Sequence, residues 1–389
     1  MRGGPRSLLE TINSLQEFGV ECFVLLPARG RLLDELSSRG IPVCVIPYQR
    51  WTEATNYPLR ERWRKLKRNF WTAFQIAAQI RAWQCDIVYT NTIVVGVGAF
   101  AALLLGKPHV WHIREFVYED HAQVFDFGRN FTLKLVDLLS EVCIVNSKAV
   151  AQKYEQWIAP AKLKVVYQAV SVTPGDPITL PPTTHFRCII VGTLVEGKRQ
   201  EDAIRAIAEL VHTGVKVELL IVGDGDPQYQ EYLQSLVASN QLEQHVKFYG
   251  YADNSFPLMQ SADVVLVCSK CEAFGRVTVE GMRAGKPIIG ARSGGTQELI
   301  REEFNGLLYT TGDPQELALK IRYVYDRPAV AKQMGENGRQ WAAEQFTPAR
   351  YGKEIYLLLR RLKKTRAVKL AREGQISGKL AITGKTVMH

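Results

Sequence analysis

The sequence predicts two doubly wound α/β domains, and three observations support this fold class. The chain has 389 residues, which is too long for one ordinary hydrophobic core. Short β-branched runs alternate with helical patterns along the whole chain, as in parallel sheets flanked by helices. Most of the predicted strands are nearly continuous apolar runs, which is expected when helices cover both faces of a sheet.

The predicted elements follow this order along the chain. In the first half, strands are predicted at residues 20–26, 41–46, 86–90, 109–113 and 142–146. In the second half, strands are predicted at residues 188–191, 217–222, 246–249, 264–268 and 287–290. A segment rich in Pro, Gly and Thr separates the halves and reads as a linker. The expected division is an N-terminal domain at 1–172, a linker at 173–184, a second domain at 185–345, a final helix returning to the first domain at 346–362, and a flexible basic tail at 363–389.

The chain opens on an unusual arrangement. Gly3 and Gly4 lead directly into a helical pattern, whereas a glycine loop before a helix normally follows a strand. We therefore expect the first strand of the N-terminal domain to be missing from this sequence.

Composition narrows the functional class. The formal charge of +10 suits phosphate-bearing ligands, an anionic membrane surface or nucleic acid. No nucleic-acid-binding module is recognisable, so nucleic acid is the least favoured of these partners. The seven cysteines are an odd number and lie mostly in apolar strand-like runs, which indicates buried thiols in a reducing compartment. With no signal peptide and no apolar run of membrane-spanning length, we expect a cytoplasmic protein.

Glycines recur where the predicted strands of the second half end. Gly192 and Thr193 follow the first of these strands, with Lys198 shortly after, and Gly223 follows the second. Gly250 and then Tyr251 follow the third strand. Glycine allows close approach of the backbone to a ligand, and the helix N-termini behind such loops attract phosphate. A lysine among them adds a positive charge for a diphosphate.

The stretch CSKCEAFGRVTVE at residues 268–280 supports two interpretations. Cys268 and Cys271 have C-x-x-C spacing, but no second Cys or His pair completes a zinc site, so structural thiols are favoured. Glu272 and Glu280 flank Gly275, which permits a tight turn between a buried strand and the next helix. A carboxylate accepts two hydrogen bonds and therefore suits the vicinal hydroxyls of a sugar or a ribose.

These motifs together resemble family 4 retaining glycosyltransferases, which have the GT-B fold of two Rossmann-like doubly wound domains facing each other across a cleft. In the second half the resemblance is carried by VGTLVEGK at 191–198, IVGDG at 221–225, FYG at 248–250, EAFGRVTVE at 272–280, GKPIIGARSGGTQELI at 285–300 and NGLLY at 305–309. In the first half it is carried by GGPRSLLE at 3–10, WHIRE at 111–115 and NSKAV at 146–150. With the final helices, it covers nearly the whole chain up to Leu362.

The resemblance implies a role for each matching residue. Glu280 would bind the ribose hydroxyls of a nucleotide, and Glu272 those of the donor sugar. Lys198 would neutralise the departing diphosphate, and His112 would lie beside the reacting sugar carbon. Backbone N–H groups would serve the sugar and diphosphate oxygens; they belong to Phe274, Gly275, Arg276 and Val277, with Gly4, Gly192, Thr193, Gly223 and Tyr251 completing the expected donor site.

Two departures from the family pattern affect the expected site. Thr193 stands where the family usually has arginine, so one positive charge toward the diphosphate is missing, and Arg199 or Arg276 is a candidate to compensate. Gln168 and Ala169 replace the usual asparagine-glycine after the last N-terminal strand.

The activity implied by the resemblance is transfer of a sugar from a nucleotide-diphosphate sugar, with UDP the commonest nucleotide, to a glycan or lipid-linked acceptor. Such a reaction would retain the anomeric configuration and require no metal or other cofactor, and it would serve cell-surface polysaccharide or glycolipid synthesis. A nucleotide-sugar epimerase of the same fold is one alternative. A non-catalytic or fragmentary sugar-nucleotide binder is another.

A basic stretch from Arg60 to Arg68 contains six Lys or Arg residues and overlaps apolar positions at helical spacing, among them Trp63, Phe70 and Phe74. A basic amphipathic helix with Trp can lie on an anionic membrane surface, which would make the protein peripheral on the inner face of the membrane. The alternative is a helix that packs its apolar side on the N-terminal domain and exposes its basic side.

Overall fold

A computed structural model describes residues 3–53, 57–121, 123–173, 183–372 and 384–388. The chain forms two compact units. The N-terminal unit comprises Met1–Ala169 and Pro348–His389, and the C-terminal unit comprises Val170–Thr347. The N-terminal unit ends three residues before the expected 172 and resumes two residues after the expected 346, but the C-terminal unit begins fifteen residues before the expected 185 and includes the expected linker. Most of the expected linker, residues 174–182, lies outside the described residues.

The strands of the described chain are β1 Val20–Leu26, β2 Val43–Val45, β3 Thr52–Glu53, β4 Ile87–Thr90, β5 His109–Ile113, β6 Val124–Phe125, β7 Val142–Val145, β8 Leu163–Val165, β9 Phe186–Val191, β10 Val217–Val222, β11 Val246–Gly250, β12 Val264–Val267, β13 Ile288–Ala291, β14 Gly306–Tyr309 and β15 Gly384–Met388.

The α-helices are α1 Gly3–Gln16, α2 Arg31–Ser38, α3 Leu59–Ala82, α4 Val97–Leu104, α5 Tyr118–His121, α6 Arg129–Leu139, α7 Lys148–Tyr154, α8 Gln200–His212, α9 Pro227–Ser239, α10 Phe256–Gln260, α11 Arg276–Arg283, α12 Thr296–Leu299, α13 Pro314–Asp326, α14 Pro328–Gln345 and α15 Pro348–Arg372. No helix in the described ranges combines the length and apolar character needed to cross a membrane.

The C-terminal unit is built on a parallel sheet in the order β11-β10-β9-β12-β13-β14. Its strands alternate with helices, so the connections cross over the faces of the sheet. Strands β10 and β12 are buried at every residue, which explains their continuous apolar sequences. Strands β9, β10, β12 and β13 are neighbours, and the loops after them all leave from the carboxyl edge of the sheet.

The N-terminal unit has a parallel sheet in the order β2-β1-β15-β4-β5-β7-β8. Strand β15 pairs with β1 from Val20↔Gly384 to Val24↔Met388, and with β4 from Thr386↔Ile87 to Met388↔Tyr89. The sequence suggested that a strand is missing before α1. The sheet nevertheless has no empty position between β1 and β4, because β15, near the end of the chain, lies there.

We expected a flexible tail at residues 363–389, but the described part of that segment forms a helix and a strand. Helix α15 continues to Arg372, since residues 363–372 contain neither Gly nor Pro to end it. The chain then contributes β15, whose Thr and Val suit a strand. Helix α15 packs closely on α1, because a Cβ at Gly352 would lie 2.4 Å from the carbonyl oxygen of Ser14.

Candidate active site at the carboxyl edge of the C-terminal sheet

Two glycines hold the first loops of this edge against each other. A Cβ at Gly223 would lie 1.9 Å from the carbonyl oxygen of Gly192, and a Cβ at Gly225 would lie 2.2 Å from that of Leu194. Leu194 N–H donates to Asp224 O at 2.9 Å and joins the same two loops. These glycines therefore serve contact between loops as well as any approach of a ligand.

The amides of Gly192 and Gly223, two of the glycines expected at the donor site, are already bonded within the protein. Gly192 N–H donates to Val222 O at 2.9 Å, and Gly223 N–H donates to Gly250 O at 2.8 Å. Each amide has only one proton to donate. In this structure, neither amide has a proton left for a phosphate oxygen.

The loop that carries Glu272 connects β12 to α11 through a tight turn. Gly275 precedes α11 with φ +97°, a conformation that favours glycine. The neighbouring loop after β13 supports the Glu272 loop: Gly295 N–H donates to Glu272 O at 2.6 Å, and Ser293 Oγ donates to Ser269 O at 2.9 Å. The backbone at Glu272 is thus fixed from the side of β13.

The carboxylate of Glu272 forms an ion pair with Lys198. Oε1 of Glu272 accepts from Lys198 Nζ and, at 2.7 Å, from Ser269 Oγ. The side chain of Glu272 is 18% exposed and that of Lys198 is 32% exposed. The loops meet through the backbone as well, since Lys270 N–H donates to Gly197 O at 2.9 Å. Two residues predicted separately for the sugar and the diphosphate are therefore in direct contact.

Glu280 lies on α11 with its carboxylate turned toward Arg276, one helical turn earlier. The Glu280 Oε1 to Arg276 Nη2 distance is 3.7 Å, and both side chains are largely buried. The pair follows the i,i+4 spacing that brings side chains together on a helix. Val277, the next residue of α11, is partly buried. The carboxylate predicted for the ribose thus has a basic neighbour on its own helix.

Three other predicted site residues differ in what they can offer a ligand. Phe274 is buried and packs its ring on Phe346 with centroids 5.7 Å apart, so only its backbone is available. Tyr251 is exposed, and its hydroxyl donates to Asp253 Oδ1 at 3.0 Å. Thr193 is partly buried, and its carbonyl oxygen accepts from Gln200 Nε2 at 3.1 Å.

Arg199 does not replace the charge missing at Thr193 in this structure. Its guanidinium binds the buried carboxylate of Asp202 through two hydrogen bonds of 2.7 and 2.9 Å. Those bonds raise the pKa of Arg199 above its usual range. Asp202 neutralises this arginine, and Arg276 has Glu280 as its own acidic neighbour. Lys198 likewise has the carboxylate of Glu272 beside it, so each of these cations is paired with an acidic side chain.

The cysteines of the C-x-x-C stretch are free thiols rather than a disulfide. Cys268 is buried directly after β12, and burial raises its pKa to about 12, so it is protonated at neutral pH. In the described ranges, no three His, Cys, Asp or Glu side chains are grouped as metal ligands would be.

Gly4 and His112 belong to the N-terminal unit. Gly4 lies in the first turn of α1, where a Cβ would contact nothing within 4 Å. His112 lies on β5 and is completely buried, so its predicted contact with a sugar would require its surroundings to open. Their roles toward a donor stay predictions.

Arg114, which sequence reasoning left without a role, organises the polar groups around His112. It follows β5 by one residue, and its guanidinium donates to acceptors on several elements. These acceptors are Asn91 Oδ1 at 3.0 Å, Gln168 Oε1 at 2.7 Å, Thr11 Oγ1 at 3.0 Å and the Tyr351 hydroxyl at 2.9 Å. The WHIRE motif contained this residue, but nothing in its spacing indicated partners so distant in the chain.

Arg114 also defines the protonation of His112. Arg114 Nη2 lies 3.1 Å from His112 Nδ1, so the fixed positive charge of the guanidinium stands directly beside the imidazole. The Tyr89 hydroxyl contacts the same nitrogen. Burial, and then the charge of Arg114, lower the pKa of His112 well below its usual value. The imidazole is therefore neutral at physiological pH.

Comparison with known families places both units in glycosyltransferases. Residues 176–341 match the family described as "Glycosyl transferases group 1", and residues 1–173 match "Glycosyltransferase Family 4". N-acetyl-alpha-D-glucosaminyl L-malate synthase of Bacillus anthracis is 38% identical over 149 residues, which are 38% of each chain. The lipopolysaccharide core biosynthesis glycosyltransferase LpsD of Rhizobium meliloti is 24% identical over 89% of this chain and 91% of its own length.

Solved structures share the fold. Anabaena HepE in complex with UDP-glucose has a TM-score of 0.74 and 25% identity, over 93% of this chain and 96% of that one. The matched parts of the first two curated relatives are about two fifths of their lengths, whereas the match to LpsD is nearly complete. Taken together with the parallel sheets and the loop edge that carries Glu272 and Lys198, these matches show that the chain belongs to the family 4, group 1 glycosyltransferases and has the GT-B fold.

Proposed function

We propose that the protein transfers a sugar from a UDP-sugar to a glycan or lipid-linked acceptor, with retention of the anomeric configuration. The observation that carries the proposal is the contact of Lys198 with Glu272 at the carboxyl edge of the C-terminal sheet. It joins a cation suited to a diphosphate and a carboxylate suited to sugar hydroxyls within one ion pair. A sugar linked to a diphosphate carries the diphosphate and a hydroxyl group on neighbouring carbon atoms.

The ion pair provides a physical route to donor recognition. Without donor, the ammonium group of Lys198 is neutralised by Glu272. When the donor binds, the diphosphate takes Lys198 as its counter-ion and the sugar hydroxyls donate to Glu272, so neither charge is left unpaired. As the glycosidic bond breaks, negative charge develops on the diphosphate, and Lys198 stabilises it electrostatically.

Glu280 is proposed to bind the ribose of the same donor. Its carboxylate can accept hydrogen bonds from both ribose hydroxyls. It lies on α11, which begins directly after the Glu272 loop, so the two carboxylates are tied to one short segment of backbone. The N-terminus of α11 adds the positive end of a helix dipole for the diphosphate between them.

The relatives support UDP and a surface-glycan pathway. HepE binds UDP-glucose, and LpsD is named for lipopolysaccharide core synthesis. We propose by analogy that this protein uses a UDP-sugar in polysaccharide or glycolipid synthesis. The proposed transfer needs no metal, because Lys198 and the helix N-terminus supply the positive charge toward the diphosphate.

The test measures nucleotide binding and transfer separately. Glu280→Ala is expected to weaken the binding of free UDP in calorimetry, since the ribose loses its acceptor. Glu272→Ala is expected to leave UDP affinity nearly unchanged and to reduce UDP release from UDP-sugars in the presence of acceptor. Glu231→Ala, an exposed glutamate of α9, is the matched control and should change neither measurement.

Release of UDP should be compared across UDP-, GDP- and ADP-sugars, with and without a lipid extract as the source of acceptor. Equal loss of UDP affinity in the Glu272 and Glu280 variants would contradict the division of roles. Tight UDP binding without turnover of any sugar nucleotide would contradict the proposed reaction itself.

A further inference from the structure

Helix α3 of the N-terminal unit exposes a cluster of large aromatic side chains. Trp63, Phe70, Trp71 and Phe74 are 67%, 57%, 62% and 44% exposed. Phe70 contacts Trp71 and Phe74, with ring centroids 5.7 and 5.2 Å apart. Soluble proteins rarely expose contiguous aromatic surface without a binding purpose. We call this surface, together with the basic residues described next, the α3 face.

An adjoining stripe of α3 packs on the protein. Its buried positions include Ala73, Ile76, Ala77 and Ile80. The alternative in which the apolar residues among 60–77 all pack on the N-terminal unit is therefore wrong for Trp63, Phe70 and Phe74. The buried positions of α3 do not include these three aromatic residues.

The basic residues of α3 divide into two groups. Lys65 is buried and pairs with Glu53 and Asp126, both at 2.9 Å, and Arg62 donates to Tyr57 O at 3.2 Å, so both have structural roles. The second group is exposed alongside the aromatic cluster and comprises Arg60, Arg64, Lys67 and Arg68. In this group, Arg64 pairs with Glu61 on the same helix.

We infer that the α3 face docks the enzyme onto a bilayer surface that contains anionic lipid. Aromatic rings enter the interface between headgroups and acyl chains, while the arginine and lysine side chains reach the lipid phosphates. Both features lie on one helix, so they can meet a planar surface at the same time. The inference does not depend on which sugar the enzyme transfers.

Charge argues against a second copy of the chain as the occupant of this face. In a two-fold dimer the same patch meets itself, so the cations of α3 would face identical cations. Like charges at close range disfavour such a contact. An anionic membrane surface provides the opposite sign and attracts each of these side chains.

Sedimentation with vesicles tests the inference. The full chain is expected to bind vesicles of phosphatidylcholine mixed with phosphatidylglycerol, and not vesicles of phosphatidylcholine alone. Binding should weaken as salt is raised, because exposed charges are screened. Trp71→Ser with Phe74→Ser should lower the partition coefficient about tenfold or more. Arg60→Glu with Lys67→Glu should lower it by a similar factor or more, since each lost cation costs about fivefold.

A matched control comes from α6 of the same unit. Lys134→Glu with Leu138→Ser removes an exposed cation and a side chain that is 74% exposed, without touching α3. This variant should bind vesicles like the unaltered protein, and all variants should keep the same thermal unfolding transition. Absent binding, equal binding to both vesicle types, or full binding by the α3 variants would overturn the inference. So would a dimer in solution that the α3 substitutions dissociate.

Discussion

Replacing Gly294 by alanine should displace the loop that carries Glu272. An added Cβ would lie 2.3 Å from the carbonyl oxygen of Glu272 and 2.9 Å from its amide nitrogen. Real Cβ contacts below 3.0 Å essentially do not occur, so the loop must move by at least about 0.7 Å, the difference between 3.0 and 2.3 Å. Both contacting atoms belong to the backbone, so rotation of a side chain cannot relieve the clash.

The expected loss in the free energy of unfolding has two parts. At φ +47° an alanine costs roughly 1–2 kcal/mol of backbone strain, and overpacking adds roughly 1–3 kcal/mol. For a unit of this size, each kcal/mol lowers the midpoint of thermal unfolding by roughly 2–4 °C. A shift near 1 Å at a reacting group costs up to about 100-fold in rate. We therefore expect kcat/KM for sugar transfer to fall by roughly 10- to 100-fold.

Gly214→Ala separates strain from displacement. Its φ is +79°, but an added Cβ would meet nothing within 4 Å. This control should lose only the roughly 1–2 kcal/mol of stability that backbone strain costs, and it should keep full activity. The measurements are thermal unfolding by calorimetry and initial rates of UDP release. Equal stability and equal rates in the two alanine variants would refute the steric reasoning.

Two further predictions concern the N-terminal unit. Truncation after Arg372 removes β15, so amide hydrogen exchange should accelerate in β1 and β4 while β9 to β14 keep their protection. Unchanged exchange in β1 would contradict the pairing of β15 with β1. Because burial lowers the pKa of His112 below its usual value of 6.5, its contribution to stability is complete above that pH and is lost as the pH falls toward the lowered value. Urea unfolding at several pH values should show a slope of up to about 1.4 kcal/mol per pH unit below 6.5, which His112→Gln should reduce.

The fold was largely predictable because most strands are local apolar runs with clear ends. The ranges 20–26, 109–113 and 217–222 agree with β1, β5 and β10 to the residue. Strand β15 could not be found in this way. Its place depends on an opening between β1 and β4, which is set by residues far away in the chain, and five residues of ordinary β propensity do not indicate such a partner.

The candidate site was predictable in its residue types more than in its contacts. The glycine loops and the segment 272–280 indicated the carboxyl edge of the second sheet, where Glu272 and Lys198 do meet. The bonds of the Gly192 and Gly223 amides depend on how neighbouring loops pair, and the sequence carries no signal for that register. The pairing of Arg199 with Asp202 is local, but its strength follows from burial, which spacing alone does not reveal.

The position of β15 also determines the order in which this protein can fold during synthesis. The C-terminal unit is one continuous stretch of chain and can assemble as soon as it leaves the ribosome. The N-terminal unit is translated first, yet β15, an interior strand of its sheet, emerges after the whole C-terminal unit. Until then β1 and β4 have unpaired edges, which are templates for pairing with other chains. The nascent N-terminal unit therefore exposes these two strand edges until synthesis of the C-terminal unit is complete.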